Sequence, residues 1–148
     1  MITNKQGNLL HATENIIAHQ VNCKGVMGSG VALAIRNTYP PAYNAFIAKG
    51  AGDHHLGDAQ IVQVGSDKYV ANLYGQLTYG RTGMHTNYEG LRKAMSVLAQ
   101  YARNTGYSVA FPYGMGAVRG GGDWAVIQKM IVDEFKDIHV AIYQLDAG

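Results

Sequence analysis

Asn22 and Cys23 stand where an apolar run, Asn15-Ile16-Ile17-Ala18-His19-Gln20-Val21, gives way to Lys24-Gly25-Val26-Met27-Gly28-Ser29-Gly30. Beyond the glycines, Val31, Ala34, Ile35 and Tyr39 recur at helical spacing. The stretch therefore reads as strand, glycine turn and helix. Such a junction aims unpaired backbone N–H groups, and the positive end of the helix dipole, at one point. The chemistry this suits is phosphate binding. Asn22 adds an amide at the mouth of the site. It can exchange hydrogen bonds with the vicinal hydroxyls of a sugar, or close an Asx turn that only stabilises the loop.

A second glycine-rich stretch, Phe111-Pro112-Tyr113-Gly114-Met115-Gly116-Ala117-Val118-Arg119-Gly120-Gly121-Gly122-Asp123-Trp124, repeats the strand-to-helix arrangement. Two phosphate-friendly loops suggest a pyrophosphate clamped from both sides. A nucleoside triphosphatase loop, Gly-x4-Gly-Lys-Ser/Thr, is not present in the sequence, and the Gly114-Met115-Gly116 start of a dinucleotide fingerprint meets Arg119 where glycine is needed. Arg119 can pair with phosphate oxygens or face water. Cys23 is a nucleophile without an obvious base beyond His19, and reads more simply as a small buried residue. His54 and His55 are adjacent but have no Cys or carboxylate at zinc spacing. Tyr74, Tyr79, Tyr88 and Tyr113 offer rings to a base or ribose, although a half-buried tyrosine needs no ligand.

The elements that must carry these residues follow from periodicity. Residues 1–4 make a short edge strand, and Asn8 follows as a turn or cap residue. Residues 15–22 read as a strand buried on both faces. A first helix is stopped by Pro40-Pro41, and a second begins there and ends at Gly50. Residues 59–64 and 69–74 flank Gly65-Ser66-Asp67-Lys68 as a hairpin. Thr86 with Glu89 suggests a capping box for a helix bearing Tyr88, Leu91, Met95, Leu98 and Ala102, ended by Gly106. A strand over 107–111, a helix started by Asp123 and a strand over 138–143 complete the chain. This alternation predicts a three-layer α/β/α domain with a mixed, mostly parallel central sheet. Ligands in such sheets bind beyond the carboxyl ends of the strands, where both glycine loops fall.

The bulk composition supports a globular chain. Of 148 residues, 47% are hydrophobic and 15% charged, and the net charge of +2 with no basic run gives no electrostatic case for nucleic acid. One cysteine excludes an intramolecular disulfide and suits a reducing compartment. No apolar run reaches membrane-spanning length. A cytoplasmic protein is the expectation.

Residues 21–32, Val-Asn-Cys-Lys-Gly-Val-Met-Gly-Ser-Gly-Val-Ala, closely resemble the first ligand loop of macrodomains. The branch they resemble contains ADP-ribose 1″-phosphate phosphatases, terminal ADP-ribose glycohydrolases and DNA ADP-ribosyl glycohydrolases. The second glycine stretch, and Asn72-Leu73-Tyr74-Gly75-Gln76 with Thr86-Asn87-Tyr88-Glu89-Gly90-Leu91, are similar to later segments of that branch. The resemblance runs through nearly the whole chain and implies a single macrodomain over 1–148.

It also implies a cleft for ADP-ribose or an ADP-ribose derivative, with an ADP-ribosylated macromolecule as a further partner. Asn22, with Gly25, Met27, Gly28, Ser29 and Gly30, would hold the distal ribose and one phosphate. Gly114, Met115, Gly116, Ala117, Val118, Arg119 and Gly120 would wrap the pyrophosphate, with Tyr74 and Tyr113 as further contacts. Asn8 falls where the family has an acidic residue on the adenine amine. Two departures bear on activity. The branch's glycohydrolases use a lysine where Gln76 stands and an aspartate where Gly120 stands. The chemistry left is hydrolysis of ADP-ribose 1″-phosphate or a similar terminal ester, with Asn22, Gln76 and His19 as the expected catalytic groups. The alternatives are a glycohydrolase acting on protein or nucleic acid, and a non-catalytic reader or sponge. A monomer is expected, with no cofactor and no metal.

Overall fold

The computed structural model describes residues 1–80, 83–118 and 120–145. Six strands form one sheet: β1 (Ile2–Gln6), β2 (Ile16–Asn22), β3 (Ala59–Gly65), β4 (Lys68–Gln76), β5 (Val109–Pro112) and β6 (Val140–Gln144). Their order across the sheet is β1-β6-β5-β2-β4-β3. Every neighbouring pair is parallel except β3 with β4, which form the expected hairpin. Four helices complete it: α1 (Gly30–Thr38), α2 (Pro40–Lys49), α3 (Tyr88–Thr105) and α4 (Trp124–Glu134). The sheet is mixed and mostly parallel, as expected, with helices on both faces.

The two faces of β2 show how the layers are filled. Ile16 and Ala18 face a large core with Leu91, Met95 and Leu98 of α3 and Ile127 and Ile131 of α4. Ile17 packs with Ile35 of α1 and Ala42 of α2, and Val21 with Met27, Phe46 and Tyr74. Side chains alternate between the faces of a strand, so a strand covered on both sides must be apolar throughout. Burying each Leu, Ile or Met side chain in these layers contributes about 2 kcal/mol.

Helix ends follow the residue chemistry with one correction. Pro40 opens α2, Asp123 caps α4 by accepting from Ala125 N at 2.9 Å, and Gly106 ends α3 in the left-handed conformation at φ +74°. The cap of α3 is Asn87, not Thr86: Asn87 Oδ1 accepts from Gly90 N at 2.9 Å. Thr86 is instead buried and bridged to Gln76 in a short antiparallel pairing. Among the described residues no helix is long and apolar enough to cross a membrane.

Candidate ligand cleft

Five strands run in the same direction, so β1, β6, β5, β2 and β4 all end on one edge of the sheet. Residues 7–8 follow β1, the second glycine loop follows β5, the first follows β2, and Gln76 closes β4. Four interstrand steps from β1 to β4 span roughly 19 Å at ~4.8 Å each. An edge of that length matches an elongated ligand.

At the β1 end lies a cavity of about 450 Å³, walled by apolar groups of Leu9, Leu10, Val31, Ala34 and Tyr143, with Asn8 and Tyr113 also lining it. Asn8 caps a single helical turn over Leu9–His11: its Oδ1 accepts from Leu10 N at 2.9 Å. Because a backbone N–H can only donate, this bond identifies the oxygen of the amide. Tyr113 packs against Trp124 at 5.2 Å between ring centroids and stays half exposed on the cleft side.

The first loop is shaped by Asn22. Its Oδ1 accepts from Lys24 N at 3.0 Å and Val26 N at 3.3 Å, and its Nδ2 donates to Val26 O at 2.8 Å. Asn22 therefore closes the loop on itself. Gly25 and Gly30 take positive φ, +78° and +59°. The side chain of Met27 is buried with Val21, Cys23 and Phe46, so only its backbone is offered to the cleft. Ser29 occupies the cap position of α1 without a side-chain cap bond. The first-turn amides of α1 thus open toward the loop, the arrangement that favours an anion.

The second loop contains Gly114 and Gly116 at φ +77° and +76°. Met115 is buried, and Val118 stands out at 83% exposed. Ala117 N donates to Gly114 O at 2.9 Å, which tightens the turn. Arg119 lies outside the described residues. Gly120 sits where no side chain fits: a Cβ there would be 2.1 Å from Thr86 Oγ1 and 2.5 Å from Gly116 O.

Three expected site residues lie differently from their anticipated roles. His19 is 1% exposed, and its Nε2 lies 2.6 Å from Asn72 Oδ1. Asn72 Nδ2 donates in turn to Ala42 O of α2 at 3.2 Å, so this network sits within the sheet–α2 layer, away from the cleft mouth. Burial pushes the imidazole pKa down to about 4, which leaves the ring neutral. Tyr74 is fully buried, with Phe46 at 5.8 Å and Lys49 Nζ 4.8 Å from its ring centre; it is a core residue rather than a stacking platform. Gln76 has both ends of its amide engaged: Oε1 accepts from Gln20 Nε2 and Nε2 donates to Thr78 O, each at 2.6 Å. Cys23 is also buried, and burial pushes its thiol pKa up, the opposite of an activated nucleophile. Tyr88 accepts from Asp123 N at 2.8 Å and braces the start of α4, and Tyr79 is exposed. His55 pairs with Asp58 at 3.5 Å.

Two residues at the site have roles missed by sequence reasoning: Gln20 carries no motif, and Thr86 carries the spacing of a capping box that it does not form. Gln20 Nε2 donates to Thr86 Oγ1 at 2.9 Å as well as to Gln76. Thr86 donates to Gly116 O at 2.6 Å. An extra residue in β4, Gly75, makes room here: Asn22 pairs with Gln76 and Val21 with Tyr74. A Cβ on Gly75 would fall 2.4 Å from Gln20 Oε1.

A family model described as Macro domain matches residues 18–131. The DNA ADP-ribosyl glycohydrolase of Mycobacterium tuberculosis is 29% identical over 157 residues, covering 100% of this chain and 43% of that protein. The chain thus spans less than half the length of the curated relatives it matches. The macrodomain of Mycobacterium tuberculosis DarG superposes with a TM-score of 0.81 at 27% identity, over 97% of each chain. A macrodomain protein from Streptomyces coelicolor does so with 0.80 at 29% identity, over 100% of each chain. At the level of fold alone, Thermosipho africanus DarTG, solved in complex with ADP-ribose, gives 0.76 at 18% identity, over 98% of this chain and 42% of that one.

Proposed function

Because this chain belongs to the macro domain family, we propose that its cleft binds ADP-ribose or an ADP-ribose derivative and hydrolyses a terminal ester such as ADP-ribose 1″-phosphate. The observation that carries the reading is the convergence of two glycine loops beside an apolar cavity of about 450 Å³. The base lies in that cavity against Leu9, Ala34 and Tyr143, with Asn8 at its edge. The diphosphate lies between the start of α1 and residues 114–118 and 120. The distal ribose lies at the β2–β4 end, near Asn22 and Gln76. ADP-ribosylated protein or nucleic acid is the further partner this arrangement suits, because the distal end of the ligand is the end left for attachment.

In the ester reaction, water attacks phosphorus and the bond to the 1″ oxygen breaks, giving ADP-ribose and inorganic phosphate. Backbone donors and an oriented water supply charge stabilisation and proximity for this step. His19, neutral and buried, takes no part as an acid or base. Gln76, held at both ends, and the closed space at Gly120 argue against the lysine- and aspartate-dependent glycohydrolase route. The same observations favour a second reading, a non-catalytic reader of ADP-ribose.

The deciding experiment pairs calorimetric titration by ADP-ribose with phosphate release from ADP-ribose 1″-phosphate. The expected result is binding and release, both reduced in Asn22→Ala. Binding without release selects the reader. Absence of binding overturns the cleft assignment.

A further inference from the structure

The two carbonyls that set the path of the second glycine loop are held from outside the loop. Gly116 O accepts from Thr86 Oγ1 at 2.6 Å and from Gly122 N at 2.9 Å. Gly120 O accepts from His85 N at 2.6 Å and from Thr86 N at 2.9 Å. The Thr86 hydroxyl accepts in turn from Gln20 Nε2 at 2.9 Å, and the same Nε2 reaches Gln76 Oε1 at 2.6 Å. A chain of hydrogen bonds therefore runs from the central strand β2 through the Thr86 hydroxyl to Gly116 O, and the backbone of the same residue holds the loop at a second point, Gly120 O. Thr86 is buried, so each of these bonds replaces one that water cannot supply.

Space is closed around this chain as well. A Cβ on Gly120 would strike Thr86 Oγ1, and one on Gly116 would lie 3.2 Å from both Thr86 Oγ1 and Gln20 Oε1. The glycines of the loop are thus spaced to admit the Gln20 and Thr86 side chains, not only to turn the backbone. A trans peptide carries its C=O and N–H on opposite sides. Drawing the Gly120 carbonyl toward residues 85–86 therefore turns the N–H of Gly121 to the other face of the loop.

We propose that Gln20 and Thr86 are positioning residues for the diphosphate part of the ligand, acting through Gly116 and Gly120 without touching the ligand. The inference rests on the cleft reading given above, and it separates the two halves of the cleft. The diphosphate half depends on the brace. The base half, lined by residues 8–10, Val31, Ala34 and Tyr143 and, ahead of the braced glycines, by Pro112 and Tyr113, does not.

The test measures the affinity of ADP-ribose and, at millimolar concentration by NMR, of adenosine, which lacks phosphates. Thr86→Val keeps the shape of the side chain and removes the hydroxyl. It weakens ADP-ribose about tenfold and leaves adenosine within about twofold, because Gly116 O and Gln20 Nε2 each lose one of two buried partners and the loop is freed from β2. Thr86→Ser returns the hydroxyl and restores ADP-ribose binding to within about threefold of wild type. Gln20→Leu, which breaks the far end of the chain, shifts ADP-ribose in the same direction as Thr86→Val, and carries the test if Thr86→Val does not fold. Unchanged ADP-ribose affinity in Thr86→Val and Gln20→Leu overturns the proposal, as does an equal fall in adenosine affinity, which marks a general loss of fold. A wild-type protein that takes up adenosine but not ADP-ribose, or neither, overturns the cleft reading itself.

Discussion

The two glycine loops meet at one cleft but are held by different kinds of structure. The first is tied by Asn22, whose amide makes three bonds to residues no more than four positions away. The second is tied by Thr86 from 30 positions away, and behind it by Gln20, itself 66 positions from Thr86. A loop closed by its own first residue forms with the strand and helix it joins. A loop braced by distant residues takes its shape only once β2, β4 and the segment before α3 have assembled. The first loop should therefore be robust to changes elsewhere and sensitive only at its surface. The second should be sensitive wherever its supports are buried.

The largest contrast comes from adding bulk to each loop. Gly28 has a negative or extended φ, and a Cβ there meets only Val26 Cγ1 at 3.4 Å. Gly28→Glu consequently leaves the fold intact while placing a carboxylate in the anion site. Affinity for ADP-ribose is expected to fall by at least ~100-fold with a melting temperature unchanged within a degree or two. A Gly28→Glu variant that still binds would remove the first loop from the site. Gly120→Ala is the opposite case. Its Cβ would overlap Thr86 Oγ1 and Gly116 O, so stability should fall by about 1–3 kcal/mol, read as a lower melting temperature, with ligand affinity falling alongside. The same closed space means that combining Gly120→Asp with Gln76→Lys yields no glycohydrolase activity. Measurable release of ADP-ribose from a modified substrate by that double variant would contradict the geometry at residue 120.

This difference also explains what the sequence discloses. Asn22 before a glycine run, Asn8 before Leu9-Leu10, Pro40 opening a helix and Gly106 ending one are local signals, because cap and turn chemistry is decided within a few residues. The alternation of strands and helices gives the layers and the ligand edge of the sheet for the same reason. Thr86 misleads in just this respect: with Glu89 it has the spacing of a capping box, yet its hydroxyl is drawn away to Gly116 and Asn87 caps α3. Gln20 carries no motif at all, since its partners at 76 and 86 are brought to it by the sheet. Tyr74 and His19 sit beside cleft-forming segments in the chain but face the α1–α2 side of the sheet, a matter of strand register that residue type does not settle.

The smallest effect we expect separates the two faces of β2 by pH. His19 and Gln20 are adjacent, so their side chains point to opposite layers. The Gln20 brace contains only amides and a hydroxyl and has nothing to titrate. His19 is buried toward α2 with a pKa pushed down to about 4 from its ordinary 6.5. Between these values the unfolded chain binds a proton that the folded chain does not, so stability is complete above pH 6.5 and falls as the pH drops toward 4. Below that, both states are protonated and this loss stops growing. The slope approaches about 1.4 kcal/mol per pH unit in the middle of the window. Glu14, held below its ordinary 4.5 by Tyr143 and Lys5 despite opposing burial, adds its own loss only at lower pH. Denaturant unfolding at pH 6.5 and pH 5.5 should therefore show a drop in wild type that His19→Gln largely abolishes and Thr86→Val retains in full. An equal drop in His19→Gln would assign the acid sensitivity to another group and remove the distinction between the two faces.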